Sequence, residues 1–187
     1  MENKDIRQRQ VVRLRNFRTV HRYTGIGLFL FLTIVAISGL MLGWKKNSGG
    51  IILANTAKGT STDLSKWLNL DTLTHLTQSY MSDSLGITDA VLDRMDVRPD
   101  KGVIKYSFSN YYTGIQIDAA TGQILLVEQR YSDLVEHIHD GSWVDRQLGL
   151  DSGVFKLIFT TIAGLGILTF CVTGFWLWYG PKLLRRY

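Results

Sequence analysis

Two histidines in the last third of the chain stand among other side chains that can bind a metal. His137 and His139 occur with Glu136 and Asp140, so four ligand-type residues fall within five positions. Imidazole and carboxylate groups suit zinc or iron. Residues 136–140 are therefore a candidate metal cluster.

Several other chemistries lack their motifs. The single cysteine, Cys171, excludes an intramolecular disulfide, a Cys-x-x-Cys redox pair, a Cys-ligated iron–sulfur cluster and c-type haem attachment. The sequence contains no Gly-x-Ser-x-Gly or His-Glu-x-x-His motif for hydrolysis, and no Gly-x-Gly-x-x-Gly fingerprint for a nicotinamide or flavin cofactor. No complete catalytic motif is present, so any enzymatic role would be that of a subunit.

Two long uncharged segments must position these side chains. Residues 23–44 and 157–181 contain 22 and 25 positions without Asp, Glu, Lys, Arg or His. A helix needs ~20 apolar residues to cross a bilayer. We predict transmembrane helices at 22–44 and 157–181 around a middle domain at 45–156. The first is longer than the ~7–15-residue core of a signal peptide, so we expect it to be a retained anchor.

The flanks of these spans are basic, whereas the middle domain is acidic. Residues 1–22 carry seven Lys and Arg against two acids, 182–187 carry three against none, and 45–156 carry 11 against 14. Basic flanks stay in the cytoplasm. We predict a bacterial inner-membrane protein with cytoplasmic ends, 1–21 and 182–187, and a periplasmic middle domain. The net charge of +5 then reflects topology, and no nucleic-acid partner is expected.

The basic segment before the first span alternates arginines with apolar residues over positions 5–20. Such a segment can lie on an anionic inner leaflet. It can equally continue the first span into the cytoplasm as one helix. Both interpretations are open.

Small residues recur along both spans, at Gly25, Gly39, Gly166 and Gly174. Such residues let helix backbones approach closely in lipid. We expect at least one packed helix–helix seam, either between the two spans or between two copies of the chain. A short echo, Ser38-Gly39-Leu40 and Thr173-Gly174-Phe175, lies near the end of each span, and Gly180-Pro181 is predicted to end the second.

The middle domain has the pattern of an α+β fold with an antiparallel sheet. A helix is predicted from Asp71, as its N-cap, to about residue 85, with Leu73, Leu76, Tyr80 and Leu85 on its buried face. Alternating apolar residues and turn residues predict four strands, at 91–97, 103–108, 111–118 and 123–129. A second helix is predicted at 130–139. Between the last two strands, Asp118 can cap a turn and Gly122 can take a positive φ.

The segment Tyr112-Thr113-Gly114-Ile115-Gln116-Ile117-Asp118-Ala119-Ala120-Thr121-Gly122-Gln123-Ile124-Leu125 resembles the hairpin of PepSY domains. Motifs around the spans strengthen this resemblance: His21-Arg22-Tyr23-Thr24-Gly25, His137-Ile138-His139-Asp140-Gly141 and Thr173-Gly174-Phe175-Trp176-Leu177-Trp178. They are similar, in order and topology, to those of PepSY-associated transmembrane proteins. The resemblance covers roughly residues 18–182.

This resemblance implies a link to iron chemistry. Larger members of the family look like inner-membrane ferric-siderophore reductases, with at least four spans and b-type haem held by membrane histidines. Soluble PepSY modules are instead associated with protease propeptides and regulation. The present chain departs from the reductase pattern because it has only two predicted spans, so an electron donor would have to be another molecule.

If haem is bound as the resemblance implies, imidazole is the available axial ligand. The candidates are His21, at the inner end of the first span, and His137 and His139, at the outer approach to the second. These two sets lie ~30 Å apart, so one haem cannot join His21 to His139 within one chain. Ligation by two histidines would need a second protomer. Ordinary interfacial or structural roles are the alternative for each of the three, and one is expected for His75.

Three functions follow as hypotheses. The first is an accessory protein or subunit of an iron- or siderophore-linked electron-transfer system, acting as a haem-binding homodimer or within a larger membrane complex. The second is a non-enzymatic module whose PepSY domain binds a periplasmic protein or peptide. The third is a metal-handling protein that uses residues 136–140.

Overall fold

The computed structural model describes residues 2–150 and 152–184. Residue 1, residue 151 of the predicted middle domain and residues 185–187 of the predicted tail lie outside this part. The chain divides into two compact units. Met1–Leu40 and His137–Tyr187 form one, here called the membrane unit, and Met41–Glu136 form the other, here called the sheet unit.

The membrane unit is built on two long helices, α1 (Glu2–Trp44) and α5 (Val154–Leu184). Both are long and apolar enough to cross a bilayer, and their most apolar stretches are only 6% and 11% buried. A helix in the core of a soluble protein would bury most of its surface, so this exposure fits contact with lipid. The segment at 5–20 continues α1 without a break, which decides between its two interpretations.

The end of α5 differs from the sequence prediction. Gly180-Pro181 does not stop the helix, because Pro181 lies inside α5 and the helix continues to Leu184. Proline removes one backbone hydrogen bond, but its φ of about −65° is compatible with a helix. A single proline close to a helix end is therefore tolerated.

Two shorter helices precede α5. Helix α3 (Tyr131–Asp140) agrees with the predicted helix at 130–139, whereas α4 (Ser142–Leu148) was not predicted. Two left-handed glycines, Gly141 and Gly149, bound α4. Its buried Asp145 accepts hydrogen bonds from the backbone N–H groups of Phe155 and Lys156, at 2.9 and 2.8 Å, and so caps the start of α5.

The sheet unit contains α2 (Leu70–Asp83) and a four-stranded antiparallel sheet. The strands are β1 (Leu92–Arg98), β2 (Val103–Phe108), β3 (Thr113–Asp118) and β4 (Ile124–Gln129), in that spatial order. The core forms where alternate residues of β2 and β3 meet α2, at Leu73, Met81, Ile104, Tyr106, Phe108, Ile115 and Ile117. The predicted fold class is confirmed to this extent: along the chain, two helices able to span a membrane flank a region with a four-stranded antiparallel sheet.

Details of α2 correct the prediction. Its N-cap is Asn69, not Asp71, because the Asn69 side chain accepts a hydrogen bond from the N–H of Thr72 at 2.7 Å. The buried positions are Leu73, Thr77 and Met81, spaced four residues apart. The predicted Leu76 and Leu85 are instead 41% and 38% exposed, whereas Tyr80 packs partly buried against the core. The prediction placed only apolar residues on the buried face of α2. Thr77 lies on that face, so the true stripe differs from the predicted one.

Candidate functional site

One candidate site lies where α1 and α5 meet near the basic end of the membrane unit. His21 of α1 contacts Thr173 of α5, with 2.7 Å between Nδ1 and Oγ1. The Thr173 hydroxyl already donates its one hydrogen to the carbonyl of Thr169, at 2.6 Å. The hydrogen between the two side chains must therefore come from His21 Nδ1. In neutral His21 this leaves Nε2 with a free lone pair, the form in which imidazole binds a metal.

A second site at the other end of the membrane unit repeats this arrangement. His139 of α3 contacts Ser38 of α1, with 2.9 Å between Nδ1 and Oγ. The Ser38 hydroxyl donates to the carbonyl of Ile34 at 2.7 Å, so His139 is again the donor through Nδ1. Ser38 and Thr173 are 4% and 3% exposed, which shields both hydrogen bonds from water. The two histidines are thus fixed in the same tautomer by hydroxyls of the same helix pair.

The glycines named from the sequence shape this interface to different degrees. A Cβ on Gly39 would lie 3.2 Å from Cε1 of His139, which is tighter than ordinary contact. One on Gly25 would lie 3.6 Å from Phe170, whose ring packs edge-on against His21 with 4.9 Å between centroids. One on Gly166 would overlap Leu28.

Gly174 is different, because nothing described lies within 4 Å of a Cβ placed there. Of the two predicted kinds of seam, the one between the spans therefore exists in this chain. A packing role for Gly174 stays a prediction, and it would require a neighbour outside residues 2–150 and 152–184.

The two histidine sites are too far apart to share one ligand. His21 and Ser38 are 17 residues apart on α1, which at ~1.5 Å per residue is roughly 26 Å. Each site therefore supplies one imidazole nitrogen. His137 is half-buried on α3, two positions before His139. Residues at that spacing point in nearly opposite directions on a helix, so His137 cannot join His139 at one iron.

The candidate metal cluster at residues 136–140 is not assembled in the described part of the chain. No group of three or more His, Cys, Asp or Glu close enough to hold a metal occurs among residues 2–150 and 152–184. Asp140 instead accepts hydrogen bonds from Lys156, at 2.6 Å, and from Ser142. Burial opposes ionisation of Asp140, but these partners outweigh it and hold the pKa of the carboxyl below its usual value. His75 lies on the surface of α2, 3.6 Å from Asp71.

The turn that carries the family resemblance is tied to a segment preceding α2. The Asp118 carboxylate accepts hydrogen bonds from the N–H groups of Ala120 and Thr121 in the turn, at 2.9 and 3.2 Å. It also accepts one from the Thr60 N–H at 2.7 Å, and another from the Thr60 hydroxyl. Burial opposes ionisation, but these donors outweigh it and lower the pKa of Asp118. Gly122 has φ +75° in the same turn.

The second face of the sheet carries a buried polar layer, which the alternating sequence pattern does not predict. Lys105, Gln116 and Glu128 are 5%, 0% and 7% exposed. Gln116 accepts from the N–H of Ala57 and donates to the carbonyl of Asn55, so it binds the backbone of residues 55–57. Burial raises the pKa of Glu128 and lowers that of Lys105, while the attraction between their charges opposes both shifts. The sequence signal for this layer was the presence of Lys105 and Gln116 inside two predicted strands.

Comparison with known proteins identifies a family. The model of a family described as the PepSY-associated TM region matches residues 7–184, nearly the whole chain. No curated protein and no solved structure matches the chain.

Proposed function

The chain belongs to the PepSY-associated transmembrane family, and on this premise we propose that it is a haem-binding subunit of an iron- or siderophore-linked electron-transfer system. Its sheet unit would be the PepSY-type module, on the periplasmic side of the bacterial inner membrane. The basic end of α1 supports cytoplasmic termini, because short Lys/Arg-rich flanks stay inside.

The observation that carries this proposal is the contact of two histidines with hydroxyls that also bond a carbonyl of their own helix, from which the same tautomer is assigned to both. His21 and His139 donate Nδ1–H to hydroxyls whose own hydrogens are already used, so Nε2 is the nitrogen available to iron. Histidines that bind metals usually donate their other ring N–H to such an acceptor, which sets their orientation and increases their basicity. A bound b-type haem would supply one-electron chemistry. Ser38 and Thr173 hold the imidazoles ready for it.

The distance between the sites supports participation of a second chain. Each site offers one imidazole nitrogen, and roughly 26 Å separates them along α1. A haem held by two histidines would therefore take its second histidine from another copy of the chain or from another subunit of a larger complex. The open surface at Gly174 leaves room for such a neighbour.

The test is an absorption spectrum of the full-length protein purified in detergent from cells supplied with iron and a haem precursor. We expect a sharp α-band after dithionite reduction and about one haem per one or two chains. His21→Gln and His139→Gln should each lose the haem held by the substituted histidine and retain haem at the other site. The control His75→Gln should retain it, because His75 lies on an exposed helix surface. A featureless spectrum from folded protein would refute haem binding.

A second candidate function is that of an anchored binding module, and the edge of the sheet favours it. β1 is an edge strand, and its Met95 and Val97 are 43% and 42% exposed. An edge strand with exposed apolar residues can pair with an extended peptide. If this is the function, Met95→Lys should abolish crosslinking to a periplasmic partner, and both histidine variants should behave as the unmodified protein.

A further inference from the structure

Three arginines, here called the arginine stripe, lie along one face of α1 near the basic end of the membrane unit. Arg15, Arg18 and Arg22 are three and four residues apart, so successive turns of the helix bring them to the same face. At ~1.5 Å per residue the stripe is roughly 10 Å long. All three side chains are exposed, and the Arg22 guanidinium lies 5.2 Å from the centre of the Tyr23 ring. The stripe is therefore accessible to a ligand from outside the chain.

The contacts between α1 and α5 give the depth of the arginine stripe in the bilayer. Phe17 stacks on Trp176, with 5.7 Å between ring centroids, and Leu14 packs against Gly180. The stripe is therefore about level with residues 172–179 of α5, which carry no charge and expose aromatic rings. Such rings collect at the level of the lipid headgroups. The three guanidinium groups thus lie where the headgroup and acyl regions of a bilayer meet.

The helices supply no carboxylate near the arginine stripe. No Asp or Glu occurs at positions 6–62 or 152–187. Asp5 is ten residues before Arg15, which is roughly 15 Å along a helix. Among the side chains that the structure describes, none forms an ion pair with any of the three arginines. A charge at the edge of the apolar region is costly unless it is paired or reaches water. The counter-charge for the stripe must therefore come from outside the chain.

The same face of α1 becomes apolar deeper in the bilayer. Ile26 and Phe29 continue the face four and seven residues after Arg22, and they are 70% and 71% exposed. One face thus presents positive charge at the headgroup level and lipid-facing side chains below it. A phospholipid lying beside the helix has the matching order, with its phosphate at the surface and its acyl chains inside. Free phosphate or an acidic peptide would match only the arginines.

We propose that the arginine stripe binds an anionic phospholipid, with the phosphate on Arg15, Arg18 and Arg22 and an acyl chain along Ile26 and Phe29. Guanidinium groups bind phosphate oxygens in bidentate pairs. The headgroup carries a net negative charge, because a zwitterionic headgroup would bring an ammonium group close to the same arginines. The inference goes beyond the proposed function, since binding of this lipid requires no haem.

The test titrates the full-length protein in detergent with phosphatidylglycerol and measures the affinity of the first bound lipid by native mass spectrometry. Arg15→Gln combined with Arg18→Gln removes two charges of the stripe. We expect about 25-fold weaker binding, because each basic residue near an anionic surface contributes about fivefold. The matched control is Arg9→Gln combined with Arg13→Gln, which removes two exposed charges from the opposite face of the same helix. It should weaken binding less than about twofold, since charges beyond ~8 Å are largely screened at about 0.15 M salt.

Three results would overturn this proposal. One is the same affinity in the two double variants, which would mean that their positions on the helix do not matter. Another is equally tight binding of phosphatidylcholine, whose headgroup has no net charge. The third is competition by glycerol 3-phosphate at the same concentration as the lipid, which would identify a site for free phosphate. A featureless haem spectrum combined with stripe-dependent binding of phosphatidylglycerol would refute the proposed haem function and leave this inference standing.

Discussion

The two histidine–hydroxyl pairs have the same chemistry but different surroundings. At His21 the neighbour is aromatic, because the Phe170 ring packs edge-on against the imidazole. At His139 the neighbours are a close glycine, Gly39, and the charged pair that the next residue, Asp140, makes with Lys156. Two different local solutions therefore hold the same tautomer at the two ends of one helix pair. The same tautomer recurs in these different surroundings. This favours a functional need for the free Nε2 of both histidines over incidental packing.

The largest expected effect comes from removing the hydroxyls. Thr173→Val and Ser38→Ala take away the acceptor of Nδ1–H, so each imidazole can change tautomer or rotate. Loss of such a supporting hydrogen bond costs about 10–100-fold in metal affinity. We expect each variant to lose haem at its own site and to retain it at the other. Haem titration of the purified variants measures this.

The matched control is Thr169→Val, because that hydroxyl bonds only its own helix, at Leu165. It should leave haem affinity unchanged. Nitrogen-15 NMR of histidine in the protein without haem gives an independent readout. His21 and His139 should show protonated Nδ1 in the unmodified protein, and a mixture of tautomers in the variant lacking the partner hydroxyl. Mixed tautomers in the unmodified protein would contradict the comparison.

The next largest effect concerns the seam that aligns the two pairs. Gly166→Val would force its side chain into Leu28, and overpacking of this kind costs about 1–3 kcal/mol. Gly174→Val meets open space on the same helix and should change the stability of the monomer by much less. Thermal unfolding in detergent compares the two. Equal destabilisation in monomeric protein would show that the seam does not depend on Gly166.

A smaller effect distinguishes the glycines beside the two histidines. Gly39→Ala requires the His139 ring to shift by a few tenths of an ångström, since its Cβ would stand 3.2 Å from Cε1. Gly25→Ala makes only ordinary contact with Phe170 and should gain up to ~1 kcal/mol from the better helix propensity of alanine. Haem titration should show a weaker affinity at the His139 site in Gly39→Ala and no change in Gly25→Ala. An equal loss of haem affinity in Gly25→Ala would show that the two glycines do not differ.

Much of the architecture could be predicted from local patterns. The uncharged segments locate the spans, and alternation gives β2 at the residues observed. Helix α4 was missed because it is only seven residues long and carries no clear apolar stripe. Gln116 is buried where it bonds residues 55–57, an irregular segment whose position follows from no periodicity. Alternation alone predicts a solvated face there.

The histidine candidates were visible in the sequence, but their partners were not. His21 and Thr173 are 152 positions apart, and which faces of two helices meet cannot be inferred from either helix alone. The echo of Ser38-Gly39 in Thr173-Gly174 was the one available signal. Both hydroxyls in that echo prove to be the acceptors for a histidine. A hydroxyl followed by glycine near the end of a span is thus worth testing against histidines near the opposite span's start.

The smallest expected effect extends the comparison to the sheet unit. There the Asp118 carboxylate accepts hydrogen bonds from a distant segment, as the hydroxyls do in the membrane unit. Because the pKa of Asp118 is lowered in the folded protein, its contribution to stability is present above the ordinary value of about 3.8. That contribution is lost as the pH falls through the folded pKa. Protection of the Thr60 and Ala120 amides from hydrogen exchange, corrected for intrinsic rate, should therefore decrease on acidification.

Asp118→Asn should weaken the protection of these two amides at neutral pH and remove its dependence on acid. The control Asp100→Asn, at an exposed position, should do neither. Unchanged protection in Asp118→Asn would mean that residues 57–60 are held by the Gly59 and Gln116 hydrogen bonds alone.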